Sequence, residues 1–375
     1  MIVKFSFTQL ITSVIKISLA LVIALQLGCS ATTREDQAAS SAIFYPPLPN
    51  KPRIQYLTTI NAANLQQNKR STFSDFVLGE DESRGSRINK PYGVAYDGDH
   101  VFVVDTRGPG YMILSANDKL IKTVKGSGSG RMSKPINITL DDQGNRYISD
   151  TGVDQVLVFD KNDNFVRAYG VKEQFKPADV LIDGDKLYVS DLMHHEIQVL
   201  DKISGHAISR ISKVGSKDGE VFFPTNLARG PNGEIFVSDT GNYRVQSFSA
   251  EGELIRSYGQ AGSGIGQFAR PKGIAVDKKG LIYVVDAAFE NIQVFGKDGE
   301  LLLFFGVPGN DPDSLNLPAD ITVQYKGLDK FKQFADENFT LEYLIFVSNQ
   351  FGPNKVGVYG YGSYGQKSGG ESKSQ

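Results

Sequence analysis

The chain has 375 residues, 22% charged and 40% hydrophobic, the balance of a folded chain rather than a disordered one. The 40 basic residues against 42 acidic ones leave a net charge of −2, without the clustered positive charge that a nucleic-acid partner requires. A single cysteine and four histidines exclude a disulfide framework and any multi-cysteine metal site, and leave little material for histidine-based metal or triad chemistry.

The first predicted element is an export signal over residues 1–28. Lys4 and Lys16 are its only charges. It carries the apolar run Ile17–Leu25, the length of a signal-peptide core and far short of the ~20 residues of a membrane span. The sole cysteine, Cys29, follows Gly28. The stretch Leu25-Gln26-Leu27-Gly28-Cys29 resembles a bacterial lipoprotein processing site, in which the cysteine becomes the acylated N-terminus. That resemblance implies a lipid anchor at Cys29 and no transmembrane helix in the mature protein. Ser30 behind it, in place of Asp, implies an outer-membrane lipoprotein on the periplasmic or surface face. Residues 29–51 are polar and Pro-rich and read as a lipidated tether.

A repeat dominates the rest. A proline opens an apolar strand, a Gly/Asn/Asp turn follows, a second strand ends in Asp, a third has the form Val-x-Val or Val-x-Phe, and a fourth ends in Gly. The opening prolines are Pro91, Pro135, Pro177, Pro224, Pro271 and Pro318. The second strands end at Asp105, Asp150, Asp191, Asp239, Asp286 and Asn349. Turns such as Asp97-Gly98-Asp99 and Pro231-Asn232-Gly233 supply the residues that tolerate positive φ in tight hairpins. The prolines stand 42–47 residues apart, and four strands in each such repeat specify an all-β, six-bladed β-propeller of four-stranded blades. The sixth repeat stops after its third strand. The strand pattern at 52–60 is therefore expected to close the ring from the N-terminal side, which leaves no blade edge unpaired. The propeller is assigned to 52–360 and a disordered tail to 361–375.

Two segments break the repeat. Residues 61–89 form a polar loop. Residues 326–342 are an insertion in blade six, where 329–337 reads as a short amphipathic helix and Phe331 and Phe334 are candidate partner contacts. Packing of the same phenylalanines onto the propeller as a local cap is the other reading.

Asp239-Thr-Gly-Asn-Tyr-Arg-Val-Gln-Ser-Phe248 resembles the core of an NHL repeat, and Gly273-Ile-Ala-Val-Asp277 with Ile282-Tyr-Val-Val-Asp286 fits the same profile. The resemblance extends over about residues 86–360 and includes gluconolactonase-like propellers. It implies the fold; NHL and gluconolactonase-like propellers include RNA binders, interaction platforms, sensor domains, a lyase and lactone hydrolases.

Asp105, Asp150, Asp191, Asp239 and Asp286 end the second strands of blades one to five and read as structural caps on the backbone N–H groups of the following turn. The residue two after each proline varies: Gly93, Asn137, Asp179, Asn226, Gly273 and Asp320. By the repeat these sit at the rim of the central channel. The resemblance to gluconolactonase-like propellers makes Asn137, Asp179, Asn226 and Asp320 candidate metal or ligand residues, with Ca²⁺ the cation that an all-oxygen set suits. Blades three and six are opposite, which is expected to hold Asp179 and Asp320 too far apart to share one ion. The adjacent His194 and His195 lie on a strand or a turn, and on a strand their side chains would face opposite sides. No cofactor is expected otherwise and no catalytic constellation is expected. The reading is an exported, membrane-anchored, non-catalytic module binding an envelope protein or glycan; the alternative is a metal-dependent lactonase-type hydrolase using the channel rim.

Overall fold

A computed structural model describes residues 42–62 and 88–365. The signal segment, Cys29, most of the tether, the middle of the 61–89 loop and residues 366–375 lie outside the described residues. The described chain forms six antiparallel sheets. In blade one the strands run Pro91–Tyr96, His100–Asp105, Gly110–Ser115 and Leu120–Val124 from the axis outward. Blades two to five repeat this order, with inner strands Pro135–Leu140, Pro177–Asp183, Pro224–Arg229 and Pro271–Val276.

The strand positions explain their sequences. A second strand such as Ile282–Asp286 lies between neighbours and between blades, so all its residues are buried and it reads as a continuous apolar run. An outer strand such as Leu301–Phe305 has one wet face and alternates. The core lies between blades rather than within one. Phe102, Val104 and Tyr111 of blade one pack with Ile148, Leu157 and Phe159 of blade two, and each further blade pair has its own cluster.

Blade six closes the ring. Its inner strand Pro318–Gln324 is followed outward by Phe339–Asn349, Val356–Tyr364 and the N-terminal strand Ile54–Ile60. Ile54 pairs with Tyr361 and Ile60 with Val356. A fifth strand, Phe44–Tyr45, lies outside Ile54–Ile60. The end of the segment read as tether therefore belongs to the propeller. Its anchor is aromatic: the Phe44 ring lies 5.8 Å from Phe339 and 5.2 Å from Tyr364, and the Tyr45 hydroxyl donates to Asp313. The last strand likewise runs past 360 to Tyr364. The second strand of this blade has 11 residues, and its early part needs a partner, which the pairing of Phe339 with Tyr364 provides.

The blade-six insertion is not an α-helix. It forms two 3₁₀ turns, Leu328–Lys330 and Lys332–Phe334. Residues three apart eclipse in that geometry, which stacks Phe331 and Phe334 on one side. Phe331 is fully buried, with its ring 5.8 Å from Tyr96 and 5.6 Å from Phe346, and Phe334 packs partly buried against the same cluster. Phe331 is thus a cap over the junction of blades six and one and is not open to a partner.

Candidate functional site

The residues two after each proline meet on the axis. Asn137, Asp179, Asn226 and Asp320 are all buried. Asn226 Nδ2 donates to Asp320 Oδ1 at 3.1 Å, which joins blades four and six across the channel. Asp179 and Asp320 line the same recess of about 200 Å³, together with Asn137, Tyr96, Thr139 and Gln324. Although they stand on opposite blades, the two acids thus reach one recess. The reason is glycine at the other two ring positions. A Cβ on Gly93 would fall 2.6 Å from the Asn137 Cα, and one on Gly273 would fall 2.6 Å from the Asp320 Cα. Without side chains in blades one and five, the neighbouring backbones close in and the ring contracts.

Each acid also ties its blade to the next. Asp179 Oδ2 accepts the Leu227 N–H of blade four at 2.9 Å, and Asp320 Oδ2 accepts the Val94 N–H of blade one at 3.0 Å. Both N–H groups lie where the inner-strand register shifts, so the ladder leaves them free. Serines in the second strands add further ties: Ser149 donates to the Ala178 carbonyl at 2.8 Å and Ser190 to the Pro224 carbonyl at 2.7 Å. Blades with a polar ring residue carry this serine, whereas blades one and five have glycine at the ring and Val104 or Val285 instead.

Burial pushes both carboxyls upward. Asp320 is raised to about 7, and Asp179 is raised further by the charge of Asp320 beside it. The Asn137 amide favours the ionised form of each. Asn226 Oδ1 is buried and receives no hydrogen bond. A group whose folded pKa is raised contributes stability that is complete below its unfolded pKa and is lost as pH rises through the folded value. In a chelator, stability is therefore expected to fall from about pH 4 to about pH 7 through Asp320. Asp320→Asn should flatten that part of the profile, and urea melts at pH 4.5, 6 and 8 check it. An unchanged slope in the variant would assign the loss to other groups.

The pairing of Pro91 with Asp105, repeated in each blade, sets the loops that enter the inner strands beside the turns that leave the second strands. These loops form one face around the channel mouth. The repeated aspartates knit it. Asp150 accepts the N–H groups of Gly152 in the following turn and of Ser133 and Lys134 in the entering loop, at 2.7–2.8 Å. Asp105 and Asp286 bond both segments in the same way, Asp191 accepts Lys176 and Met193, and Asp239 accepts Phe222.

This face exposes large side chains that sequence reasoning did not single out: Met193, Phe222, Phe223, Tyr243 and Phe351. His195, Phe222 and Phe223 form one cluster with ring centroids 4.5–4.8 Å apart. Lys90 lies over the Phe351 ring at 5.3 Å. The signal in the sequence was the pair Phe222-Phe223 directly before Pro224, where four other blades carry Lys90, Lys134, Lys176 and Arg270 and blade six carries Leu317.

Asp191, His194 and Glu196 bring one ligand atom each to within 4.8 Å of one another, a grouping the sequence reading did not make. Its charges are answered internally. His194 Nδ1 bonds Asp191 at 2.6 Å, Gln198 Nε2 donates to Asp191 at 3.1 Å, and Arg210 lies 3.2 Å from Glu196.

A family model described as a 6-bladed beta-propeller matches residues 226–305. The chain is a six-bladed β-propeller. No curated protein matches it. Among solved structures it is similar to a protein of unknown function from Bacteroides thetaiotaomicron (TM-score 0.56, 16% identity, 82% of this chain and 75% of that one). It is also similar to a gluconolactonase from Xanthomonas campestris (TM-score 0.55, 15% identity, 84% and 91%). A third is virginiamycin B lyase from Staphylococcus aureus (TM-score 0.51, 12% identity, 72% and 80%). At these identities the likeness shows the fold alone. Among the described residues no helix is long and apolar enough to cross a membrane.

Proposed function

We propose that the protein is an exported, membrane-anchored binding module that holds an envelope glycan on its loop face and performs no catalysis. The observation that carries this reading is the rim of exposed aromatic side chains around the channel mouth. Phe222 and Phe223 cluster with His195, Lys90 lies over Phe351, and Arg270 shares a cavity with Phe223, so cations border the exposed rings. Aromatic faces stack on sugar rings, and cations meet their acidic groups. The segment ahead of the propeller fits the anchoring half of the reading, with Cys29 as the acylated residue.

The test has two arms. Phe222→Ser/Phe223→Ser should bind protease-treated envelope glycan at least 10-fold more weakly than wild type with an unchanged Tm. Cys29→Ser should leave the outer-membrane fraction, because each buried acyl CH₂ contributes ~0.8 kcal/mol to attachment. Binding that disappears when the envelope material is protease-treated would assign a protein partner instead. A Cys29→Ser chain that is processed and fractionates normally would remove the anchor.

A second reading, a metal-dependent lactonase-type hydrolase, is favoured by one observation: the buried Asn226 Oδ1 without a donor. The ring fits a hard cation in donor type, since Asn137, Asp179, Asn226 and Asp320 offer only oxygens, and backbone carbonyls and waters would complete the shell of a Ca²⁺. When bound, such an ion supplies Lewis-acid polarisation of a carbonyl oxygen. The chain's own part is to keep the two carboxylates ionised and oriented by the N–H groups of Val94, Val180 and Leu227. Stoichiometric metal together with lactone turnover that Asp179→Asn abolishes would establish this reading over the first.

A further inference from the structure

Directly above the ring, the residues one after each opening proline are Tyr92, Ile136, Ala178, Thr225, Lys272 and Ala319. Five of these are apolar or hydroxyl-bearing and one is a lysine. Inner strands of a propeller have no solvent for a lysine to reach unless it faces the channel mouth. There a cavity of about 380 Å³ is lined by Tyr92, Ile136, Phe223, Thr225, Arg270 and Lys272 among others. That volume lies within the range of small-ligand sites.

The charges in this cavity are unbalanced. Lys272 is 8% exposed, its Nζ donates to the Tyr92 hydroxyl at 3.2 Å, and it lies over the Tyr92 ring at 4.7 Å. Neither Lys272 nor Arg270 nor Lys90 forms an ion pair among the described residues. Burial, then Arg270 and Lys90, push the Lys272 ammonium down to about 8. A buried cation is ordinarily paired, so Lys272, with no ion-pair partner among the described residues and the exposed Arg270 beside it, calls for an anion from outside.

The remaining walls say what carries that anion. Thr240 donates its proton to the Pro271 carbonyl at 2.7 Å. The Thr225–Thr240 contact at 2.7 Å is then donated by Thr225. Both hydroxyl protons are thus spent, and Thr225 offers lone pairs to a ligand hydroxyl. Ile136, Ala178, Leu192 and Phe223 form the apolar side. The lining thus combines two cations, a position that accepts a hydroxyl donor, and apolar side chains.

We infer that the channel mouth is a binding site for a sugar acid, whose carboxylate meets Lys272 and Arg270, whose hydroxyl donates to Thr225, and whose ring lies against Phe223. This inference rests on the reading of the loop face as a glycan-binding face and names the acidic unit it holds.

The test is calorimetric titration of the full chain with glucuronate, glucose and inorganic phosphate. Glucuronate is expected to bind at one site. Glucose should bind at least 10-fold more weakly, and phosphate should fail to displace glucuronate at equal concentration. Lys272→Met and Arg270→Gln should each weaken glucuronate binding, Lys272→Met by at least 10-fold, and Lys272→Arg should retain most of it. Absence of saturable glucuronate binding, equal binding of glucose, displacement by equimolar phosphate, or wild-type affinity in both Lys272→Met and Arg270→Gln would each overturn the assignment. If the envelope glycan binds while glucuronate does not, only this inference falls. If glucuronate binds while the glycan does not, the glycan-binding function falls and the pocket stands.

Discussion

A chain lacking residues 52–60 is expected not to accumulate as a folded protein. Three aliphatic side chains of that strand, Ile54, Leu57 and Ile60, are buried, and two of them are fully so. Burial of a large aliphatic side chain is worth roughly 1.5–3 kcal/mol, so the three together approach the whole stability of about 5–15 kcal/mol of an ordinary domain. The deletion also leaves Val356–Tyr364 as an open edge with unpaired N–H and C=O groups, a template for aggregation. Deletion of 366–375 removes none of these contacts and should leave Tm unchanged. Circular dichroism melts of the two truncations, or recovery of the first only from the insoluble fraction, check the pair. Equal melting of both chains would mean that the ring closes by another strand.

Phe331→Ala is expected to cost about 3–5 kcal/mol, because it empties a fully enclosed aromatic site against Tyr96 and Phe346. For a domain of this size that lowers Tm by roughly 10 °C. Phe334→Ala, at a partly buried position on the edge of the same cluster, should cost less than half as much. Chemical denaturation of the two single variants measures the ratio. A Phe331→Ala protein as stable as wild type would show that the insertion does not cap the junction of blades six and one.

The propeller was legible because its signals repeat. The proline recurs in six places, and the turn, the Asp at the end of the second strand and the spacing recur in five of them, and each has a local cause: φ restriction, positive φ, backbone capping, alternation. Ring closure by 52–60 followed from counting strands. The aromatic strand Phe44–Tyr45 was missed because two residues have no period, and its anchor, Phe339 and Tyr364, lies some 300 residues away. The insertion was misread as a helix because the spacing of Phe331 and Phe334 suits a 3₁₀ turn as well as an α-helical one.

The site was legible in part. The variable position after each proline marked Asn137, Asp179, Asn226 and Asp320, and all four lie at the axis. Their convergence was not readable, since it depends on how closely Gly93 and Gly273 let the neighbouring backbones approach. Lys272 escaped notice although a lone lysine among Ile136, Ala178 and Ala319 was the available signal. The exposed rim escaped for a different reason: phenylalanines before a strand look like core until the loop face is placed.

The measurement closest to the central claim compares two variants of the full chain for binding to protease-treated envelope glycan, with Tm and lactone turnover recorded on the same samples. The loop-face account predicts that Phe222→Ser/Phe223→Ser loses at least 10-fold in binding at unchanged Tm, that Asp179→Asn keeps wild-type binding, and that no sample turns over lactone. Wild-type binding in the phenylalanine variant, or lactone turnover in wild type that Asp179→Asn abolishes, would contradict it.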